Sequence, residues 1–274
     1  MTMKITRRKF LAGAFAGASA LLLSDALVYE PRILISIENL DVSSELLDES
    51  FRIVQISDIH LGNVSPVWNT LPVIRKLKPH FIAITGDIFS SAEKLDEGVE
   101  LVGELSDLAT TFIVYGNWDY WTEVDLKEFE VRIDSNVREG AKILKNSHMM
   151  VDGICFAGVD DPYTGKDQLE KTISDCKGFK EYTILLAHSP QIIGKAKGKV
   201  DLVLSGHTHG GQVTIPGVGP FYVPLPKEYR KYRSGLYKVE GTLLYVNRGI
   251  GTSVLPARFA CPPEVTLVNL RSID

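Results

Sequence analysis

Residues 51–60 read Phe-Arg-Ile-Val-Gln-Ile-Ser-Asp-Ile-His, an apolar run that ends on Asp58 and His60. The β-branched residues of 52–56 predict a strand, and the polar residues follow it directly. The same pattern recurs in predicted strands at His80–Thr85, Thr111–Tyr115, Ile154–Val159, Tyr182–Ala187 and Val200–Ser205. Between two of them, Ser91–Leu108 carries apolar residues at helical spacing. Alternating strands and helices predict an α/β domain with a substantial parallel sheet.

Polar residues follow five of these strands, at the point where each strand ends. In chain order they are Asp58 and His60, Asp87, Asn117 and Asp119, His188, and lastly His207 and His209. Because ligands bind beyond the carboxyl ends of the strands in an open α/β sheet, we expect these side chains to meet at one edge. Each alone has an ordinary explanation, such as a helix cap for Asp58 or a turn for Asn117. Their recurrence at five strand ends favours a shared site.

The chain changes character after Gly210. Short predicted strands lie at Gln212–Ile215, Leu236–Val239, Leu243–Val246 and Val265–Leu270, separated by glycine and proline and without convincing helices. This pattern predicts antiparallel β structure in the C-terminal half. With no linker between Pro31 and the C-terminus, residues 31–274 are predicted to form a single domain.

Composition excludes disordered, collagen-like and polytopic membrane proteins. The 274 residues are 45% hydrophobic and 23% charged, which is typical of a soluble globular protein. A net charge of -4 gives no long-range attraction to nucleic acid, and we expect none as a partner. The three cysteines show no CxxC spacing, so neither a disulfide framework nor a zinc-thiolate site is indicated.

The N-terminal segment differs from this average. Basic residues, namely Lys4, Arg7, Arg8 and Lys9, precede the apolar run Phe10–Leu23. The adjacent pair Arg7-Arg8 resembles a twin-arginine signal, so residues 1–30 are predicted to be an export signal or a retained N-terminal anchor. We therefore expect the twin-arginine export machinery as a partner, an extracytoplasmic location in the cell envelope, and membrane association through this segment.

The motifs at the strand ends resemble those of the calcineurin-like metallophosphoesterases. Asp58-x-His60, Gly86-Asp87, Gly116-Asn117, His188 and Gly206-His207-x-His209 match that family in order, over residues 51–212. The resemblance implies an αββα sandwich, two sheets back to back, with a binuclear metal centre at their edge. Residues 247–253 and 258–263 look like the exported bacterial phosphodiesterase subgroup, which is also similar to UDP-2,3-diacylglucosamine hydrolases of lipid A biosynthesis.

The resemblance implies a role for each polar residue. One metal would take Asp58, His60 and His209, the other Asn117, His188 and His207, with Asp87 between them. Imidazole and carboxylate together suit Mn, Zn or Fe better than Mg or Ca. A hydroxide bridging the two divalent ions would attack the phosphorus.

One position departs from the family pattern. Where relatives commonly have a histidine that assists the leaving group, this chain has Trp118, which cannot donate a titrating proton. We name Asp119 as the candidate catalytic acid. Candidate substrate-binding residues are Asn117, Arg230, Arg233, Arg248 and Arg258, although such a cluster of cations is also typical of a solvated surface. Phe221–Pro226 is a weaker candidate for contact with lipid.

Together these features predict an exported binuclear metallophosphoesterase. The favoured substrate is a phosphodiester or pyrophosphate of a small molecule or lipid. One alternative is a UDP-2,3-diacylglucosamine hydrolase. An alternative of another class is a non-catalytic metal-binding envelope protein, which only Trp118 supports.

Overall fold

The computed structural model describes residues 6–137, 140–174, 176 and 181–273. Lys4, part of the predicted signal, lies outside them. The strands are β1 (Ser36–Ser44), β2 (Phe51–Ile56), β3 (Phe81–Thr85), β4 (Thr110–Val114), β5 (Ala141–Ile143), β6 (Ser147–Val151), β7 (Ile154–Gly158), β8 (Tyr182–Leu186), β9 (Leu202–Ser205), β10 (Thr214–Ile215), β11 (Gly219–Pro220), β12 (Gly235–Val239), β13 (Thr242–Val246) and β14 (Glu264–Ser272). The α-helices are α1 (Arg7–Ser24), α2 (Glu30–Arg32), α3 (Val67–Leu77), α4 (Leu95–Ser106), α5 (Asn117–Trp121), α6 (Leu126–Asn136), α7 (Leu169–Ile173) and α8 (Ile193–Ala196).

Two six-stranded sheets form the centre of the molecule. The first has the order β1-β14-β2-β3-β4-β5, and the second has the order β12-β13-β9-β8-β7-β6. Strands β2 to β5 are parallel in the first sheet, as are β7, β8, β9 and β13 in the second. Because the parallel strands of each sheet share a direction, their carboxyl ends and the loops after them lie at one edge.

The two sheets pack face to face through a layer of buried aromatic side chains. The ring of Phe156 on β7 lies 4.3 Å from that of Phe112 on β4 and 4.9 Å from that of Phe81 on β3. Outside the first sheet, α4 buries Val99, Val102 and Leu105 along one face. Helices α7 and α8 cover the second sheet. The predicted four-layer αββα sandwich is therefore confirmed.

The predicted antiparallel C-terminal half is only partly correct. Strand β12 is antiparallel to β13, and β14 is antiparallel to β2. However, β13 is parallel to β9, and β14 is parallel to β1. The prediction failed because these late strands join sheets built from earlier elements, and the neighbouring strand sets the direction of pairing.

Two cysteines are joined, which the sequence did not indicate. Cys155 on β7 forms a disulfide with Cys176, 21 residues later, and Cys261 remains a buried free thiol. Their spacing matches no motif, and α7 returning over β7 brings the two residues together.

The N-terminal segment forms a continuous helix. It comprises α1, a π-helical turn at Asp25–Tyr29, and α2. Within the described residues, Arg7–Arg32 is the one helix long and apolar enough to cross a membrane, and no residue of α1 is buried. Glu30 and Pro31 at its end are buried against the body, so packing continues across the predicted boundary between residues 30 and 31.

Candidate metal centre

All seven predicted metal ligands meet at the carboxyl edge of the two sheets. Asp58 and His60 follow β2, Asp87 follows β3, Asn117 follows β4, His188 follows β8, and His207 and His209 follow β9. The first loops are tied together, because the His60 N–H donates to the Asp87 carbonyl at 3.0 Å and the Asp58 N–H to the Gly86 carbonyl at 3.0 Å. These bonds align the first ligand pair with the central carboxylate.

Asp58, His60 and His209 form one group of ligand atoms. All three are buried, and their ligand atoms lie within 4.8 Å of one another. The His209 Nε2 atom is 3.3 Å from Asp58 Oδ1 and 3.1 Å from His60 Nε2. Two imidazole nitrogens and a carboxylate oxygen at this spacing can bind a divalent transition metal.

Asp87, His188 and His207 form a second buried group within the same 4.8 Å limit. Asp87 Oδ2 lies 3.2 Å from His188 Nε2 and 3.6 Å from His60 Nε2, which belongs to the first group. The Asp87 carboxylate therefore stands between the groups, where the resemblance implies a bridging ligand.

Asn117 supplies an amide oxygen at the same place. It is the first residue of α5, it is buried, and it borders the same cavity as Asp87 and His207. Its Oδ1 atom is buried without a hydrogen-bond partner. Since a buried polar oxygen without a partner costs roughly 1–3 kcal/mol, this orphaned oxygen fits a metal ligand.

Glycines leave room for the ligands. A β-carbon on Gly116 would overlap the Asp87 carboxylate, and one on Gly206 would overlap Asp58 and Ser57. This packing explains why glycine precedes Asn117 and His207 in the sequence.

Second partners fix the orientation of three of the four imidazoles. His60 Nδ1 lies 2.7 Å from Ser90 Oγ, and His188 Nδ1 lies 2.8 Å from the Thr85 carbonyl. His207 Nε2 lies 2.9 Å from the Pro224 carbonyl. With one ring nitrogen held in this way, the other is left to bind metal.

Burial sets the protonation of three of the histidines. It lowers the pKa of His60 to about 4, lowers that of His207 to about 3, and takes that of His209 well below its ordinary value. A neutral imidazole is the form that binds a metal ion, so these ligands need not lose a proton at neutral pH.

His188 and Asp87 behave as a charged pair. Burial opposes the charge on His188, but the adjacent carboxylates, Asp87 first, raise its pKa to about 10. Burial likewise opposes the charge on Asp87, yet the histidines around it lower its pKa. A metal ion bound by His188 Nε2 would displace this proton and take its place beside the Asp87 carboxylate. The donor set thus fits two divalent ions.

The structure does not support Asp119 as a catalytic acid. Its Oδ1 accepts the N–H groups of Ile88 and Phe89 at 2.8 and 3.0 Å, and its Oδ2 accepts those of Asp87 and Gly116 at 3.0 and 2.9 Å. Burial raises the pKa of Asp119 to about 7, but both oxygens face N–H donors and the side chain is fully buried. Asp119 therefore positions the Asp87 and Asn117 loops.

Arg248 and Arg258, which were predicted to bind substrate, are both engaged by other groups of the protein. The buried Arg258 guanidinium donates to four carbonyls, those of Cys261, Arg248, Gly249 and Gly251. Arg248 forms ion pairs with Glu264 at 2.6 Å and Glu38 at 2.5 Å. Neither residue borders the cavity over the ligands.

Arg230 and Arg233 are exposed but also lie away from the lining of that cavity. The Arg230 Nε–H donates to the Leu225 carbonyl at 2.9 Å. Of the predicted substrate-binding residues, Asn117 alone borders the cavity.

An apolar cavity of about 290 Å³ opens over the ligands. Trp118, Trp121 and Tyr163 line one side, and the Tyr163 ring lies 4.4 Å from that of His207. Tyr120 instead packs beneath the loop and donates its hydroxyl hydrogen bond to Asp160 at 2.5 Å. Sequence reasoning did not find Tyr163, since nothing in Asp-Pro-Tyr-Thr-Gly marks it as a site residue.

Comparison with known proteins adds a family match. A family model described as calcineurin-like phosphoesterase matches residues 51–211. The uncharacterized metallophosphoesterase YkuE of Bacillus subtilis is 33% identical and covers 99% of both chains. A transmembrane protein with a metallophosphoesterase domain from Danio rerio is 32% identical over 85% of this chain, which spans 56% of that relative's length.

Solved structures share the fold. The crystal structure of TT1561 of Thermus thermophilus superposes with a TM-score of 0.50 at 12% identity, covering 73% of this chain and 90% of that one. This likeness concerns the arrangement of sheets and helices.

Proposed function

This chain belongs to the calcineurin-like phosphoesterase family, and on that premise we propose that it hydrolyses phosphodiesters with two divalent metal ions. The observation that carries the proposal is the convergence of seven ligand side chains from five strand ends, with Asp87 between two ligand groups and the Asn117 oxygen without a partner.

The residues around Asp87 would hold both ions. When bound, the cations would polarise the phosphoryl oxygens and lower the pKa of a coordinated water. Mn, Zn or Fe suit this mixture of imidazole, carboxylate and amide donors. The loops that carry the ligands are held by the hydrogen bonds of Asp119, so the ligands are oriented before substrate arrives.

The cavity lining supports a diester over a monoester. Among the residues that the structure describes, no lysine or arginine lines this cavity. A monoester dianion would need more compensating charge than the metals alone supply, whereas a diester carries a single negative charge. Trp118 lies over the site and donates no proton, which favours a substrate whose leaving group needs little acid assistance.

A pyrophosphate receives less support from the same lining. The predicted arginine grip on a second phosphate involved Arg248 and Arg258, and both are engaged elsewhere. The UDP-2,3-diacylglucosamine alternative has the same requirement, because its reaction cleaves a pyrophosphate bond.

Turnover tests the proposal. The full chain, loaded with Mn²⁺ or Zn²⁺, should hydrolyse bis-p-nitrophenyl phosphate faster than p-nitrophenyl phosphate. Asp87→Asn should lower kcat at least ~10²-fold, since it removes the carboxylate between the ion sites. Asp201→Asn is the matched control, because this partly buried carboxylate accepts the Thr183 N–H far from the ligands and should leave kcat unchanged.

Metal analysis of the same samples separates the alternatives. Bound metal without turnover on either ester would favour the non-catalytic metal-binding protein. A preference for the monoester would overturn the diester assignment alone.

We also propose export through the twin-arginine route, on the strength of Arg7-Arg8 before the apolar helix α1. The double variant Arg7→Lys, Arg8→Lys should stay on the cytoplasmic side of the membrane, whereas Lys9→Arg should be exported normally. Unchanged delivery of the double variant would refute the assignment.

A further inference from the structure

Large apolar side chains surround the mouth of the metal cavity and project into solvent. We call them the apolar rim, and they are Val218, Phe221, Tyr222, Val254 and Leu255. Val218, Phe221 and Val254 are 82, 83 and 81% exposed. All but Val218 also line the cavity. A cluster of this kind beside a site is typical of contact with a membrane or a protein.

Part of the rim, the loop with Val254 and Leu255, is hydrogen-bonded to the turn that carries His209. Gln212, three residues after His209, donates from its side-chain amide to the carbonyls of Leu255 and Ala257 at 2.9 and 3.1 Å. Its Oε1 accepts the Ser253 N–H at 2.8 Å. One buried side chain therefore fixes the loop that carries Val254 and Leu255 to the ligand turn.

The base of the N-terminal helix docks on the same loop. The Arg258 N–H donates to the Ala26 carbonyl at 2.9 Å. The Glu30 carboxylate accepts the N–H groups of Ala260, at 2.8 Å, and of Cys261. The helix long enough to span a bilayer thus leaves the body three residues along the chain from the rim residue Leu255.

Arginine and lysine side chains lie close to the apolar rim. The Arg233 guanidinium lies beside Gly219, next to Val218, and Arg230 and Lys231 are exposed in the same segment. Exposed aromatic and aliphatic side chains flanked by arginine and lysine match a surface that meets acyl chains and anionic headgroups.

We propose that the apolar rim lies in the surface of the bilayer that holds the N-terminal helix. The metal cavity then opens among lipid headgroups, and its substrate is a lipid phosphodiester whose apolar part rests against Phe221 and Leu255. The identity of the substrate rests on the proposed function, whereas the position of the rim does not.

Quenching in proteoliposomes tests the position. The full chain is reconstituted into vesicles of phosphatidylcholine and phosphatidylglycerol, with a fluorophore on Phe221→Cys or Val254→Cys. The native cysteines are unreactive, since Cys261 is buried and the other two are in the disulfide. Val131→Cys on α6 is the matched control, because Val131 is 65% exposed on the outer helix layer.

Lipids brominated along their acyl chains should quench both rim labels and leave the Val131 label unaffected. Equal quenching at all three positions, or none at the rim, would overturn the proposal. Cross-linking between copies at position 221, without quenching, would assign the rim to a second copy of the chain instead.

Turnover on the same vesicles distinguishes this inference from the proposed function. Phe221→Ser should lower the ratio of lipid phosphodiester to bis-p-nitrophenyl phosphate hydrolysis about tenfold, while Val131→Ser should not change it. Rim quenching without hydrolysis of either substrate would contradict the phosphodiesterase. Hydrolysis of the soluble ester without rim quenching would contradict only the membrane position.

Discussion

Five of the predicted metal ligands have a positive backbone φ, between 49° and 69°. They are Asp58, His60, Asp87, His207 and His209. Such a conformation is costly for residues other than glycine, by roughly 1–3 kcal/mol each, and persists where surrounding contacts enforce it. The Asp119 carboxylate supplies one such contact by accepting the Asp87 N–H. The buried Arg258 acts indirectly: it donates to the Gly251 carbonyl, and the Gly251 N–H donates to the Asp58 carbonyl at 2.7 Å. At the scale of single residues, we therefore expect Asp119 and Arg258 to hold the ligand loops in place.

Asp119→Asn should lower both stability and metal affinity. The amide nitrogen would face an N–H donor that the carboxylate now accepts, at a cost of about 2 kcal/mol in the free energy of unfolding. The kcat should fall with the loss of metal, while the shape of its pH profile stays unchanged. Denaturation and metal titration measure the first two effects.

Asp125→Asn is the control for this variant, because Asp125 also accepts a backbone N–H, that of Glu128, but at an exposed helix start. If Asp119→Asn removed one limb of the pH profile with metal still bound, Asp119 would be the acid after all.

Arg258→Met should destabilise the protein by about 3 kcal/mol, since it leaves the buried carbonyls of Gly251 and Cys261 without a donor. Arg233→Ala, at an exposed cation, should stay within ~0.5 kcal/mol of the wild type. Denaturant midpoints of the two variants and the wild type measure these differences in stability. A raised KM with unchanged stability in Arg258→Met would restore its predicted substrate role.

At the scale of elements, helices α3 and α4 are joined by one carboxylate. Glu97 on α4 accepts the Trp68 indole N–H at 3.0 Å and pairs with Lys94 at 2.7 Å. The bond from Lys94, followed by that from Trp68, lowers the pKa of Glu97 below its ordinary value of 4.5. A pKa that is lower in the folded state means that ionised Glu97 stabilises the fold.

Glu97→Gln should therefore cost about 0.5 kcal/mol at neutral pH, and the difference from the wild type should vanish on acidification. The stabilisation is fully present above pH 4.5 and is lost as the pH falls through the lower folded-state value. Urea unfolding followed by tryptophan fluorescence at several pH values measures it. Glu104→Gln, at an exposed position of the same helix, is the matched control. A destabilisation by Glu97→Gln that persisted unchanged in acid would contradict the ion-pair explanation.

At the scale of the whole molecule, the predicted metal ligands come from both sheets. His188 and His207 come from the second sheet, whereas Asp58, Asp87 and Asn117 come from the first. Bound cations would therefore connect both halves of the sandwich while they compensate two buried carboxylates.

Metal removal should lower thermal stability. At a metal concentration 100 times Kd, binding contributes about 2.7 kcal/mol, which corresponds to a shift in Tm of about 5–10 °C for a chain of this size. Calorimetry with chelator and after addition of Mn²⁺ measures the shift. Asp87→Asn should respond much less, and an unchanged Tm in the wild type would contradict a metal centre that spans both sheets.

Much of this architecture could be predicted from local patterns. The strand ahead of Asp58 and the helix across residues 91–108 follow from periodicity, and the structure moves their limits by a few residues. Strands β1 and β6 were not predicted, because Ser36–Ser44 and Ser147–Val151 mix polar and apolar residues and depend on their neighbours for pairing.

Local sequence patterns were sufficient to name the candidate metal ligands. An aspartate or histidine directly after a buried parallel strand lies at the carboxyl end of the sheet, so its place in the chain predicts its place in the fold. The contacts of Asp119, Arg248 and Arg258 with other groups of the protein, and the apolar rim beside the base of the N-terminal helix, became visible in the three-dimensional structure. The physical reason is that charge and hydrophobicity belong to a residue, whereas burial and available partners depend on segments distant in the chain.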